Sequence, residues 1–597
     1  MATQSNPLLD DGFVDFLLYD VLNAESLCEL EGFNHHSKET FDLFIDSVRK
    51  LARQDLWPTY KPMDENPPVF EKGRIKTHPS LRELYSQMVE VGVLAGTRPE
   101  EVGGQQIPIL IHTLASAYLM AANLGAYGFV GLTHGAAHLI EAFGSDELKA
   151  EFMTRMYEGE WTGTMALTEP HAGSSLSDIT STATPTDDGY YLIKGSKIFI
   201  SGGDQSFTDN VVNLTLARID GAPSGTKGIS LFAIPRMRPE NGELVPNDVT
   251  VAGLIHKIGW RGLPSLALEF GDAGDCRGWL VGEPHQGLRH MFQMMNEARI
   301  MIGVNGAATA SVAYHEARNY ALERRQGRRP GERSDEMVPI VQHSDVRRML
   351  LRQKAIVEGS FAVLATTARY SDLADHGPES ERERAGLLLD LLTPIAKTFP
   401  AEKGFEANAL AVQIHGGYGY TSEYLPEAFM RDQKLNTIHE GTSGIQSMDL
   451  LGRKVVQKGG AGLRALSEEI AATVEQARAA GCDPALCDAV SQATDAAISL
   501  TMELGQRGMA GDTDGMLGHS FDYMDLMSTL VVGWQWLQMA AVARNEFGSD
   551  PSQQDRLNGI EAAAQYWIRT EVPRTAVLAE LCRSAEDSYL KAEPAWF

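Results

Sequence analysis

One stretch of the chain, Gln413 to Arg453, reads QIHGGYGYTSEYLPEAFMRDQKLNTIHEGTSGIQSMDLLGR and holds two features that offer chemistry. Glu440 is followed by Gly441 and Thr442, so a bound molecule has room to reach the carboxylate. Gly416-Gly417 follows Gln413, and residues without side chains let a phosphate approach backbone N–H groups closely. Each signal alone has a plainer reading. Paired glycines are most often a turn, and an isolated glutamate is most often a solvated surface charge.

Two earlier segments carry groups suited to a flat heteroaromatic ring. Met165-Ala166-Leu167-Thr168-Glu169-Pro170 leads into a sharp turn before Gly173-Ser174-Ser175. Such a turn exposes backbone N–H and C=O groups that can pair with a ring edge. In Lys197 to Gly203 (KIFISGG), period-two alternation puts Phe199 and Ser201 on one face, an aromatic beside a hydroxyl. A plain hairpin core explains either piece alone equally well. Further on, Arg299 stands near the start of an apolar stripe formed by Ile300, Val304, Ala307, Ala308 and Val312. The same helix ends in YALERRQGRR, where Arg324, with Gln326 two residues on, offers a guanidinium fork to a phosphate. Arg325, Arg328 and Arg329 read as a solvated face.

The elements that must position these groups follow from periodicity. Residues 1 to about 160 read as helices, with Pro58 to Pro68 as a loop and Ser145 as a helix cap. From Trp161 to about Pro284, alternating segments at Tyr190–Ile200, Gly228–Ile234 and Leu266–Phe270 are separated by turn clusters and predict β-structure. Helical spacing returns from His285. Beyond the KGGAG run, helices are expected at Leu466–Ala479, Pro484–Leu504, Tyr523–Glu546 and Gly559–Glu580.

The chain's 597 residues imply several domains, and 43% hydrophobic with 22% charged content fits a soluble globular class. A formal net charge of -27 repels nucleic acid and anionic membranes. Cys28, Cys276, Cys482, Cys487 and Cys582 form neither a metal-ligand spacing nor a disulfide framework, and no metal is expected. No signal peptide is read at the N-terminus. The charge-free run Gln106–Ile140 is long enough to span a membrane, but Pro108, His112, Asn123, His134 and several glycines break it, so two buried core helices are expected.

Taken together and in this order, residues of roughly 100 to 455 resemble the acyl-CoA dehydrogenase family. The segments are ALTEP-x-AGS, KIFIS, the Arg324-x-Gln326 pair, Gln413-x-x-Gly416-Gly417-x-Gly419, Arg431-Asp432 and Glu440-Gly441-Thr442. The tail GIQSMDLLGRK resembles the long-form branch, which includes dehydrogenases for long fatty acyl-CoAs and for 3-methylmercaptopropionyl-CoA. The chain departs from the family pattern at Gly202, Gly327, His439 and Gly444.

The resemblance implies an α+β multidomain fold: an N-terminal helical domain (1–160), a central β-barrel-like domain (161–285), a C-terminal four-helix bundle (286–458) and an extra helical domain (459–597). It implies FAD-dependent α,β-dehydrogenation of an acyl-CoA to the trans-2-enoyl-CoA, as in fatty acid beta-oxidation. Glu440 would be the α-proton base, and the alternative base position holds Ala298. Cofactor contacts would come from Met165, Leu167, Thr168, Gly173, Ser174, Phe199, Ser201, Arg324, Gln326, Gln413, Gly416, Gly417 and Thr442. Substrate contacts would come from Ser174, Arg299, Glu440 and Gly441. Electron-transferring flavoprotein would be the partner of a cytoplasmic homodimer or dimer of dimers, with no transmembrane segment. An acyl-CoA oxidase using oxygen is the alternative. A nucleic-acid-associated member of the fold is opposed by the acidic charge.

Overall fold

The computed structural model describes residues 6–329 and 336–597, and the side chains of these except 292–296. The chain divides into two compact units. One comprises residues 39–107 and 118–298, the other residues up to 38 with 108–117 and 299–597.

The first unit is built on strands β1 (Thr162–Ala166), β2 (Thr182–Pro185), β3 (Tyr191–Ser201), β4 (Val211–Ile219), β5 (Ile229–Pro235), β6 (Val249–Leu254), β7 (Ser265–Phe270) and β8 (Arg277–Leu280). β3 pairs with β8, β8 with β5, β5 with β4, β4 with β2 and β2 with β3, so five strands close a ring. β1 lies parallel to β4, and β7 and β6 continue outward from β3. Ring closure removes strand edges that would otherwise invite pairing with other chains. Ala183, Ile193, Ala217, Phe232 and Ile234 join Leu266, Leu268 and Phe270 in one apolar cluster. Val212, Leu214, Leu216 and Leu231 pack instead with Ala136, Ile140, Phe152 and Met156 of the helices. β4 therefore buries both faces, its polar Asn213 and Thr215 included.

Helix α1 (Ile109–Phe143) resolves the charge-free run. Asn123, at φ -161 and ψ 91, interrupts it as expected for two helices. The Asn123 side chain accepts from Ala126 N at 3.2 Å, starting the second half as a cap does, and donates to Thr59 Oγ1 at 2.8 Å. The most apolar window of α1 is 94% buried in the protein, so its hydropathy is that of a core helix. The stretch Pro58–Pro68, expected as a loop, instead contains a short helix, Tyr60–Glu65. Pro58 and Pro62 both fall in first turns, where a missing N–H costs nothing.

The second unit is helical. From Arg299 on, α2 (Gly287–Glu323) joins α3 (Ser344–His376) and α4 (Glu379–His415). The Asp372 carboxylate of α3 accepts from the backbone N–H of Ile109 and Leu110 at 2.7 and 3.0 Å, satisfying orphan donors where α1 begins. The C-terminal helices are α5 (Ala461–Ala479), α6 (Pro484–Met509), α7 (Ser520–Phe547), α8 (Gln554–Thr570) and α9 (Arg574–Ser584). The single helix expected over Gly559–Glu580 is two, because Pro573 has no N–H to continue α8 and disfavours helical geometry at Val572.

These C-terminal helices share one core with α3 and α4. Trp536 Nε1 of α7 donates to Ala355 O of α3 at 3.0 Å. Trp567 of α8 packs edge-on against Phe399 of α4, centroids 5.6 Å apart. Arg352 of α3 bridges Glu406 of α4 and Glu571, the latter at 2.6 Å. A chain truncated after Lys454 is therefore expected to lose the folded state of residues 299–454 as well. The measurement is far-UV circular dichroism and urea unfolding of the purified truncation. A soluble fragment with the full-length midpoint would contradict it.

Candidate active site

The candidate residues divide between the two units. In the β-rich unit, Met165, Leu167 and Thr168 are half-buried where β1 ends, and Gly173 and Ser174 are exposed in the turn that follows. Phe199 and Ser201 close β3. The expected alternation that puts these two on one face does not hold. The β3–β7 register passes from Ile200↔Leu266 to Lys197↔Leu268, so β3 carries one extra residue, and Phe199 sits at φ +61. The bulge re-aims the side chain, and Phe199 is 62% exposed.

Both segments are held by a buried ion pair that reading the sequence did not single out. Lys197 Nζ lies 2.9 Å from Glu169 Oε1 and donates to Leu167 O at 3.0 Å. The Glu169 carboxylate also accepts from Thr180 N and Oγ1 (2.7 and 2.8 Å) and from Ser181 N and Oγ (3.0 and 2.6 Å). Burial raises the Glu169 carboxyl, but Lys197 and these donors outweigh it and hold it down at about 2. Burial pulls the Lys197 ammonium down to about 8, with Glu169 opposing. Ile198 N donates to Thr168 O at 2.9 Å, and Thr164 Oγ1 to Ser201 O at 2.6 Å. The turn after β1 and the end of β3 are thus one pinned assembly.

In the helical unit, Glu440 is half-buried on a left-handed backbone, φ +52, a conformation that non-glycine residues adopt rarely and at a cost. Gly441 follows at φ +86, and a β-carbon there would come within 2.6 Å of Gln446 Nε2. Only glycine fits. Gln446 Nε2 donates to Glu440 O at 3.1 Å, and the Thr442 hydroxyl accepts from Ile445 N at 3.2 Å, capping the helix Ser443–Asp449. Beneath the loop, Lys397 of α4 donates to Asn436 O at 2.7 Å and to Gly441 O at 2.9 Å. Arg299 of α2 lies 3.4 Å from Asp449 Oδ2.

Burial raises the Glu440 carboxyl above its ordinary value, with Arg299 and then Lys397 pulling it back. Two cations held near but not on the carboxylate keep it ionisable while its surroundings make it basic. Burial, with Lys397, pushes His439 down to about 3. The ring beside Glu440 is thus neutral and adds no charge to it.

Where α4 ends, Gly416 adopts φ +61 with ψ -137, and a β-carbon on Gly416 or Gly417 would meet nothing within 4 Å. Gln413 is exposed beside them. His415 stacks on Tyr320 of α2 at 4.4 Å, which brings the end of α2 alongside the glycine pair. There Arg324 is exposed, and its guanidinium has no ion pair among the described residues. Gln326 N donates to Val338 O, and Ile340 N to Arg324 O, fixing the backbone on which Arg324 stands. An open glycine backbone and a guanidinium on one chain fit a diphosphate.

Sequence reasoning missed Lys397, Glu169 and Lys197 as positioning groups. The signal for each was a cation or carboxylate at a core position of a helix, turn or strand, which is costly to bury unless paired.

Comparison with known proteins identifies the family. Four family models match: the acyl-CoA dehydrogenase N-terminal domain over 38–160, its middle domain over 164–273, its C-terminal domain over 285–455, and an acetyl-CoA dehydrogenase C-terminal-like domain over 466–593. The chain is 39% identical over 479 residues to 3-methylmercaptopropionyl-CoA dehydrogenase of Ruegeria pomeroyi, covering 79% of this chain and 80% of that one. It is 30% identical to the broad-specificity linear acyl-CoA dehydrogenase FadE5 of Mycobacterium tuberculosis, covering 98% of each. An acyl-CoA dehydrogenase of Bacillus anthracis solved in complex with FAD shares the fold at TM-score 0.69 and 19% identity, over 97% of this chain and 95% of that one. With all four domains matched in family order and relatives alike along its length, the chain belongs to the acyl-CoA dehydrogenase family.

Proposed function

We propose that this protein removes two hydrogens from the α and β carbons of an acyl-CoA thioester with FAD as cofactor, and that Glu440 is the base. The observation that carries the reading is the Glu440 loop: a carboxylate made more basic by burial, poised between Arg299 and Lys397, with a glycine beside it. The proton next to a thioester carbonyl is weakly acidic, whereas a glutamate in water has a pKa near ~4.3, so the site must raise the basicity of its carboxylate. Desolvation by the bound thioester adds to what burial has begun. The Glu440 N–H is the donor proposed for the thioester oxygen, and Lys397 holds the carbonyls of Asn436 and Gly441 on either side of the base so that donor and carboxylate keep their aim.

Bound FAD would supply the hydride acceptor for the β carbon. Gln413, Gly416, Gly417, Arg324 and Gln326 are proposed to hold its diphosphate, reaching across to the partner subunit of a dimer. Met165, Leu167, Thr168, Gly173, Ser174, Phe199, Ser201 and Thr442 are proposed to line its ring. Ser174, Arg299 and Gly441 join Glu440 on the substrate. Electron-transferring flavoprotein is the proposed acceptor, in the cytoplasm. Functional domains at 1–160, 161–285, 286–458 and 459–597 complete the proposal.

The test is anaerobic mixing of the purified yellow protein with a panel of acyl-CoAs differing in length, branching and thioether content. Flavin bleaching by some member is expected, and bleaching by none would contradict the reading. The released cofactor should be FAD and not FMN. Arg324→Ala should weaken FAD binding tenfold or more, since a charge-assisted hydrogen bond contributes ~1.5–3 kcal/mol. Unchanged FAD affinity in that variant would remove Arg324 from the diphosphate site.

A further inference from the structure

We propose that His134, His138 and Glu297 form a binding site for a divalent transition-metal ion of the zinc class. The three residues belong to the β-rich unit, and one ligand atom from each lies within 4.8 Å of the others. His134 and His138 are one helical turn apart on α1, so their rings share a face, with centroids 6.0 Å apart. Glu297 comes from α2, and its Oε2 lies 3.3 Å from His138 Nδ1. Two imidazoles at i and i+4 and one carboxylate from a second element make a donor set that zinc favours, with coordination positions left for water.

Two features of the surroundings prepare these groups as ligands. His134 Nδ1 lies 2.8 Å from Leu94 O. A carbonyl can only accept, so Nδ1 carries the proton, and in the neutral ring the lone pair is on Nε2. A ring nitrogen donating to a backbone carbonyl is the usual outer-shell arrangement of a metal-bound histidine, and it fixes both tautomer and ring orientation. Arg98, a cation that acts on Glu297, is committed elsewhere. Its guanidinium meets the Glu141 carboxylate at 2.7 and 2.9 Å, and Glu141 also accepts from Tyr157 Oη at 2.6 Å. The ion's charge would therefore face the Glu297 carboxylate and an arginine already neutralised.

All three residues are half-buried, so an ion can reach them. Ligand atoms around zinc lie ~3.3–3.6 Å apart at Zn–N distances of ~2.0–2.1 Å, which asks for side-chain shifts of about an ångström. Bound there, the ion would staple α1 to the start of α2. The site is independent of the acyl-CoA reading, since none of the three residues is assigned to cofactor or substrate. The cysteine spacing carried no metal signal; the His134-x-x-x-His138 spacing does.

The full-length, FAD-loaded protein, freed of metal by chelator and dialysis, would be titrated with zinc chloride by calorimetry. One zinc per chain is expected, with X-ray absorption showing only nitrogen and oxygen ligands and imidazole scattering. Zinc should raise the thermal midpoint of the native protein. Affinity should fall at least tenfold in Glu297→Gln and at least a hundredfold in His138→Ala. If His138→Ala fails to retain FAD, Glu297→Gln and the absorption spectrum decide. Less than stoichiometric zinc in the native protein, sulfur in the ligand shell, or unchanged affinity in Glu297→Gln would each overturn the proposal.

Discussion

Replacing Glu440 by glutamine should slow flavin reduction by acyl-CoA ~10²–10⁴-fold, or roughly 3–5 kcal/mol in barrier. Glutamine keeps the shape of the side chain but removes the basic oxygen. The left-handed backbone at Glu440 and the tight fit of Gly441 are properties of the loop, not of the carboxylate, so the loop should persist. FAD should stay bound, because the proposed diphosphate groups lie elsewhere, at Arg324 and Gly416-Gly417. The native enzyme should lose rate as pH falls through the Glu440 pKa, because the base must be ionised. Burial raises that pKa, so the acid limb should lie above the ordinary carboxylate range. The glutamine variant should lack that limb. Rapid-mixing absorbance across pH reads both effects, and a variant with native rates would reject the assignment.

The second large effect is on stability. Lys197→Met leaves the Glu169 carboxylate, only 2% exposed, without its counter-ion. Breaking a buried pair on one side typically costs ~3–5 kcal/mol, which for a unit of this size is a fall of roughly 6–20 °C in thermal midpoint. The pair's acid dependence has a definite sign. Glu169 is held at about 2 in the folded state, below its unfolded value of ~4.3. Its contribution is therefore fully present above ~4.3 and is lost as pH falls from there toward 2. The native protein should lose stability in that window, and the variant should show a shallower loss from a lower starting point. The pair pins the turn after β1 and the end of β3, so the variant should also retain less FAD. A midpoint within about 2 °C of native at neutral pH would contradict this.

How much of this was legible in the sequence depends on whether the partners are near each other along the chain. The Glu440 loop and the glycine pair were, because the carboxylate and the glycines are written into one contiguous stretch. Of the ring, β3 and β5 were found, with β7 beside it, because their turns and alternation are local, whereas β2, β4 and β8 were not singled out. Lys197 with Glu169, and Lys397 with Gly441, were not, since each pair joins segments that only the tertiary fold brings together. The shared face expected of Phe199 and Ser201 failed for a different reason. Alternation assumes a regular strand, and one extra residue in β3 breaks it. The extra C-terminal domain was expected from its helical spacing beyond the KGGAG run, where Lys458, Gly459 and Gly460 adopt left-handed backbone, but that its helices pack against α3 and α4 was not. The apolar faces of α7 and α8 carried that information without saying which helices they cover.

The central claim, that Glu440 takes the α-proton, is tested most directly by hydrogen exchange uncoupled from oxidation. An acyl-CoA analogue that cannot lose hydride is incubated with the FAD-loaded protein in deuterium oxide, and label at the α carbon is followed by mass spectrometry. Native protein should wash deuterium into that position, and Glu440→Gln should do so at least a hundredfold more slowly with FAD still bound. Exchange by the variant at the native rate would place the base on another residue and contradict the account.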